Sequence, residues 1–408
     1  MNTSELIRAA LRALRAHKLR SFLTLLGVII GVTTMVGVVG VISGLDTYVK
    51  EKVIVLAPDV YILTKFGIIR SRDEFIRALK RPPITWPEYE RLSSGVLAHT
   101  AQVSVASANA MPVNAGSKRL ESILVVGTTP NMAAMFSLEF ESGSFFTENE
   151  NNAAANVAII GADTREELFP QVDPLGRTIL LKGLPFRVIG TMPKQGRSIG
   201  FNQDGRIYIP IQVYRKNFMA ANESLEMQIQ ARGGVAGLDA SIDEVRALFR
   251  AMRHSGYRDP DPFGILTQES LQELWKQISS AAFILMLLVS SVSLGVGGIV
   301  IMNIMLVSVV ERTPEIGIRM AIGARKRDIR RQFLLEAAIL SLCGGILGLA
   351  AGAGIAWIVR VLGGFPAQIT PGIVVAGITV STLVGLAAGF LPALRASNLP
   401  VIDALRAE

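Results

Sequence analysis

The sequence predicts an α-helical membrane domain of four transmembrane helices, with a large α+β extracytoplasmic domain inserted between helices 1 and 2. Three observations carry that prediction. Four runs hold no charged residue, 22–42, 281–310, 337–359 and 373–394, and about 20 apolar residues are enough to span the hydrocarbon core of a bilayer. Between the first two lie 237 residues, 44–280, with 26 basic and 26 acidic side chains, a composition foreign to lipid. The net charge of +8 therefore sits in the short membrane-flanking segments: 5 basic against 1 acidic residue before the first run, and 7 against 3 in 311–332.

Taken in order, residues 1–21 read as an amphipathic helix. Leu6, Ile7, Leu11 and Leu14 recur at helical spacing, with Arg8, Arg12 and Arg15 on other faces. Such a segment either lies in the inner interface or only supplies flanking charge. The first span, 22–43, is longer than a secretory signal core of about 7–15 residues, so it reads as an anchor. Short basic loops stay in the cytoplasm while long domains cross largely regardless of charge. Both termini and the loop 311–332 are thus expected inside, and 44–280 outside. The second span, 281–310, would be about 45 Å long against about 30 Å of hydrocarbon. That length predicts a helix continuing outward as a stalk, and Leu271, Leu274 and Ile278 keep helical spacing just before it; 44–56 suits a second stalk. The third span, 333–359, a short external loop, 360–372, the fourth span, 373–394, and a cytoplasmic tail, 395–408, complete the membrane part. Gly27 and Gly31, then Gly344, Gly348 and Gly352, then Gly385 and Gly389 recur every fourth residue in three of the spans. Glycine at that spacing lets helix backbones approach closely in lipid.

The large domain alternates apolar and polar positions in short runs separated by Gly, Pro and Asn clusters, the mark of strands and turns. Strands are expected at 60–63, 101–108, 122–126, 157–160, 178–181, 186–191, 206–209, 226–230 and 264–266. Helices are expected at 87–93, 163–168, 211–218 and 238–254. The single cysteine, Cys343, lies in a span, so the domain must be held by its own core rather than by disulfides.

Catalytic signatures are absent. The three histidines, His17, His99 and His254, have no metal-ligand spacing, there is no GxSxG elbow, and no glycine is followed directly by lysine, so the chain has no phosphate-binding loop for ATP. The expectation is a non-catalytic chain with no metal and no cofactor of its own. Its basic balance concerns topology, with no nucleic acid as partner.

One cytoplasmic stretch stands apart: ERTPEIGIRMAIGARKRDIRRQF, 311–333. Thr313 suits an N-cap with Pro314 at the first helical position. Glu315 lies near the positive helix end and four residues before Arg319, and Gly323 supplies a stop. This predicts a helix of about two and a half turns with Ile316 and Met320 on one face, Ile318 and Ile322 on another. On composition alone it also fits ordinary positive-inside charge.

That stretch, continued as ERTPEIGIRMAIGARKRDIRRQFLLEA, resembles the FtsX-like permease motif of the MacB family of ABC transporters. The resemblance extends to NIMLVSVVERT, LCGGILG and the C-terminal GFLPALRASNLPVIDALRAE, and into the large domain through VGTTPNM, VAIIGADTREELF and PLGRTILLKGLPFRVIGTM. It implies a coupling helix resting on a cytosolic ATPase, formed by Glu315, Ile316, Gly317, Arg319, Ala321, Gly323 and Ala324. It implies a bacterial inner-membrane location, a second permease copy as homodimer partner, membrane lipid around the spans, and a periplasmic adaptor as a possible further partner. It also implies an outer domain divided into a porter-like part, 57–117 with 211–270, and an inserted part, 118–210. The chain starts just ahead of its first span, where MacB carries an ATPase, so the resemblance implies a separate ATPase subunit that binds ATP and Mg. Export by mechanotransmission is the activity implied. The alternatives within the family are lipoprotein release and FtsX-like activation of an outside partner such as a cell-wall hydrolase.

Overall fold

The structure, a computed structural model, describes residues 18–49, 56–194, 197–198, 201–202, 204–363 and 367–401. The amphipathic segment 1–21 lies almost wholly outside the described residues, as does half of the tail, 402–408. Two compact units are present, Met1–Val49 with Trp275–Glu408, and Lys50–Leu274. The first described element is helix α1, Lys18–Tyr48.

The Lys50–Leu274 unit is built on one ten-stranded mixed sheet. Its strands are β1 (Val60–Thr64), β2 (Thr100–Ala115), β3 (Lys118–Thr128), β4 (Ser142–Gly143), β5 (Val157–Ile160), β6 (Thr178–Leu181) and β7 (Leu184–Thr191), then the small pair β8 (Arg197–Ser198) and β9 (Phe201–Asn202), then β10 (Arg206–Pro210), β11 (Glu226–Ala231) and β12 (Gly264–Leu266). The order is β12-β1-β11-β2-β3-β10-β5-β7-β4, with β6 against β2 and β7, and β8 paired with β9 apart from it. Helices α2 (Arg72–Leu79), α3 (Trp86–Ser94), α4 (Met132–Met135), α5 (Glu148–Asn152), α6 (Ala162–Leu168), α7 (Ile211–Asn217) and α8 (Leu238–Met252) fill the connections.

Successive strand residues point to opposite faces, and here both faces are covered. Val105, Val125, Ala158 and Ile160 join the main core with Tyr61, Phe186 and Phe249. Their neighbours Ala106, Val126, Val157 and Ile159 join a second cluster around Phe146 and Tyr208. This is why VAII at Val157–Ile160 is buried at all four positions. The main core draws residues from both 118–210 and the rest of the domain, and β2 and β3 run as one long hairpin through both, while the second cluster takes all its buried members but Ala106 from 118–210.

An ion pair whose side chains are largely enclosed, although both residues are only half-buried, fastens α3 to the end of α8. The Arg253 guanidinium donates to Glu88 Oε1 at 2.7 Å and Oε2 at 3.1 Å. It also donates to the carbonyls of Pro262 at 2.7 Å and Pro83 at 3.1 Å.

In the other unit, α9 (Gln268–Glu311), α10 (Thr313–Ala321), α11 (Lys326–Gly363) and α12 (Pro371–Ser397) follow in order. Among the described residues four helices, α1, α9, α11 and α12, are long and apolar enough to cross a membrane. Helix α9 has 44 residues, about 66 Å at 1.5 Å per residue, and it is unbroken through Gly295, Gly297 and Gly298. Trp275 Nε1 donates to Asp46 Oδ1 at 3.0 Å, tying α9 to the end of α1.

The repeated glycines pack against other helices of the same chain. Val28, Val32 and Val36 of α1, at helical spacing, are fully buried. Gly344, Gly348 and Gly352 of α11 face them in that order. Gly27 abuts Gly297 of α9, and Gly31 abuts Leu294. Gly385 and Gly389 of α12 face Ser341 and Ala337 of α11. A Cβ on Gly348 would lie 2.9 Å from Ile29 O, a backbone atom, and 2.9 Å from Val32 Cβ. Thr33 Oγ1 donates to Gly348 O at 3.0 Å across the same contact. Gly348→Leu is therefore expected to force α1 and α11 apart at a cost of about 1–3 kcal/mol. Thermal unfolding of the detergent-solubilised chain measures it, and an unchanged midpoint would mean that this contact does not hold the bundle.

Candidate functional site

The stretch 311–333 forms a helix–turn–helix junction. Helix α9 runs to Glu311 and α10 starts at Thr313, so Arg312 alone separates them and takes the N-cap position. This corrects the expectation that Thr313 is the cap. With the preceding helix still intact, the Thr313 hydroxyl donates back to Val309 O at 3.0 Å. Pro314 stands in the first turn, where a missing N–H leaves no hydrogen bond unmade. The C-terminus is closed by Gly323, whose φ is +106°. The Gly323 N–H reaches Met320 O at 3.1 Å and the Ala324 N–H reaches Arg319 O at 3.0 Å. That double bond pattern after a left-handed glycine satisfies the last carbonyls of the helix.

The two faces of α10 differ sharply. Ile316 and Gly317 are buried, and Ile316 belongs to the core cluster of Met305, Val309, Ile329 and Phe333, with Met320 and Ala324 packed against it. On the opposite face Ile318 is 51% exposed and Ile322 is 82% exposed, with Ala321 and Gly323 also exposed beside them.

Polar ties fix α10 against α11. Glu315 and Arg319 form an ion pair four residues apart. Arg319 Nη1 donates to Gln332 Oε1 at 2.8 Å, and Arg312 Nη1 donates to Glu336 Oε1 at 3.2 Å. Gln332 and Glu336 are both buried and stand one turn apart on α11, so two cations clamp onto one row of that helix. Arg312, Gln332 and Glu336 were not among the expected site residues. The available signal was Glu336 itself, an acid inside the apolar run FLLEAA, since a charge at the edge of a span calls for a partner. Asp328 has a role too: its Oδ2 accepts from Arg325 N–H at 3.2 Å, closing the first turn of α11.

Chemically, the junction is a rigid knob with an exposed apolar tip, flanked by the exposed cations Arg325, Lys326 and Arg327. It has the character of a protein-docking surface, in which apolar anchors sit inside a charged rim. Among the described residues no cluster of His, Cys, Asp and Glu could hold a metal ion.

Comparison with known proteins gives three results. Residues 21–248 match the family model of the MacB-like periplasmic core domain, and 283–401 match the FtsX-like permease C-terminal model. The macrolide export ATP-binding/permease protein MacB of Bdellovibrio bacteriovorus is 32% identical over 409 residues, covering 99% of this chain and 62% of that protein; the chain thus spans about three fifths of the length of such relatives. An uncharacterized ABC transporter permease of Bacillus subtilis, YknZ, is 30% identical over 415 residues, covering 100% of both chains. Among solved structures, the periplasmic region of MacB from Actinobacillus actinomycetemcomitans overlays with a TM-score of 0.46 at 15% identity, covering 55% of this chain and 96% of that one.

Proposed function

Because the chain belongs to the MacB-like, FtsX-type family of ABC transporter permeases, we propose that it is the membrane subunit that turns ATP hydrolysis on a separate cytosolic ATPase into movement of its extramembrane domain, and so drives export. The observation that carries this reading is the knob at α10, with its inner face locked and its outer face apolar and exposed. The full-length match to a permease supports placing the ATPase on another chain. The charge count supports an orientation with 311–332 and both termini in the cytoplasm. Two copies, each engaging one ATPase, form the working unit, and a periplasmic adaptor is a further partner on the outer side.

The mechanism follows from rigidity. A ligand shifts a protein between two states only through contacts that differ between them. ATP-driven closure of the ATPases changes the contacts at Ile318 and Ile322. Arg312 and Arg319, held by Glu336 and Gln332, pass that displacement to α11, and the one-residue junction passes it to α9. Helix α9 continues without a break to Gln268, beyond the apolar run, so a push at its inner end reaches the outer side without a wide path through the spans.

Glu315→Lys tests the reading. The exposed Glu315–Arg319 pair contributes under about 1 kcal/mol to the fold, so the variant should reach the membrane at the parental level. A reversed charge at a docking face costs more, so ATPase binding should weaken at least about tenfold. The chain alone should hydrolyse no ATP. Asp328→Lys is unsuitable as a control because it breaks the first turn of α11; Arg119→Glu, an exposed charge on β3 outside the junction, serves instead. Equal ATPase affinity for parent and Glu315→Lys would overturn the assignment.

A further inference from the structure

Helix α2 is amphipathic in the inverse sense. A surface helix of a water-soluble domain turns its apolar stripe to the core. Here Ala78 is buried and Glu74 is half-buried on the inner side, while Phe75, Ile76 and Leu79 are 46%, 43% and 50% exposed on the outer one. Phe66, also exposed, belongs to the same patch: Arg81 Nη1 donates to Phe66 O at 2.8 Å and Lys65 O at 3.1 Å, tying that turn to the end of α2. The segment 65–81 carries six basic and two acidic residues, within a region, 44–280, whose charges balance only when taken as a whole.

The patch is fastened to the root of α9. Gly67, with φ +67°, packs so closely on β12 that a Cβ there would lie 2.9 Å from Gly264 Cα. Arg70 Nη2 donates to Glu273 Oε2 at 3.1 Å. Glu273 precedes Ala281, the first residue of the apolar run, by eight positions. Chain length alone therefore keeps this anchor within about 28 Å of the start of the span when extended, and about 12 Å when helical.

We propose that α2 and the Phe66 turn form a membrane-interface foot, which sets Phe66, Phe75, Ile76 and Leu79 into the headgroup region of anionic phospholipid in the leaflet on the domain's side. Large apolar side chains bordered by Arg and Lys are what such a surface binds, through apolar burial together with attraction to anionic headgroups. A second copy of the chain is the poorer occupant, because a patch with an excess of four positive charges would meet the same charge across a two-fold axis. The foot fixes the root of α9 to the bilayer surface, and it stands whether or not an ATPase docks at α10.

The test uses the full chain in nanodiscs, with Cys343→Ser and a bimane label on Ile76→Cys. Arg187→Cys, exposed on β7 and outside the patch, is the reference site. With doxyl-labelled lipid in discs containing phosphatidylglycerol, quenching at position 76 should exceed that at position 187 at least about twofold. It should fall when phosphatidylcholine replaces phosphatidylglycerol, or with Arg77→Glu and Lys80→Glu together. A label on Leu79→Cys repeats the measurement should the first variant unfold. Equal quenching at the two sites, with iodide reaching both, would overturn the proposal. Pyrene excimers between position-76 labels in discs without quencher would assign the patch to a second copy and overturn it as well.

Discussion

Replacing Ile318 and Ile322 together by Asp should abolish productive coupling while leaving the membrane bundle intact. Both side chains are exposed on the outer face of α10, so their loss removes no internal contact of weight. If they are buried against an ATPase, each isoleucine contributes about 1.5–3 kcal/mol on full burial. Losing both should weaken the complex at least about a hundredfold. Introduced carboxylates add the cost of desolvating charge. The measurement pairs ATPase affinity with the thermal midpoint of the solubilised chain. An unchanged affinity would show that the tip faces water in the working complex.

Arg253→Met should be the most destabilising single change in the extramembrane unit, at about 3–5 kcal/mol, because removing one partner of a buried pair strands the other. Glu88 would remain between α3 and α8 without its cation, and the carbonyls of Pro83 and Pro262 would lose a donor. Burial pushes the Glu88 carboxyl up, but the hydrogen bonds from Arg253 and Thr85 outweigh it and hold the group below the ordinary carboxylate range. A lowered folded pKa means stability that is present above the unfolded value and lost as pH falls through the folded one. In Arg253→Met the sign reverses, since an unpaired buried carboxyl is raised and gains from protonation. The difference in unfolding free energy between parent and variant should be largest near neutral pH and shrink on acidification. Denaturant unfolding at several pH values measures this, and a loss under about 1 kcal/mol at neutral pH would contradict it.

The membrane part was legible in the sequence because a bilayer imposes a length that no soluble core does. Four uncharged runs become four long helices, with an α+β domain between the first and the second in sequence. The strand VAII at Val157–Ile160 was legible by composition, although only the structure shows two different cores on its two faces. Strand β2 extends well past the alternation read at 101–108. Pro112 hides its continuation, since proline has no N–H for the ladder, and the structure accommodates it at a register shift between Met111 and Val113. Helix α2 went unread because Arg72, Asp73, Glu74, Arg77 and Lys80 obscure an apolar stripe that faces outward. The short helix α10 was legible from Pro314 and Gly323. Its anchoring was not: Arg312 and Glu336 are 24 positions apart, and no local pattern links them. Thr313 was misplaced by one position because its cap role assumed a free chain end, where α9 is still helical.

Contact between the exposed tip of α10 and an ATP-hydrolysing partner can be captured with a photo-crosslinker on Ile322→Cys, in a Cys343→Ser background and in native membranes. The expected adduct is with a protein bearing a phosphate-binding loop, identified by mass, whose yield changes when ATP is trapped on it. Adducts with lipid or with this chain alone, unaffected by nucleotide, would contradict it.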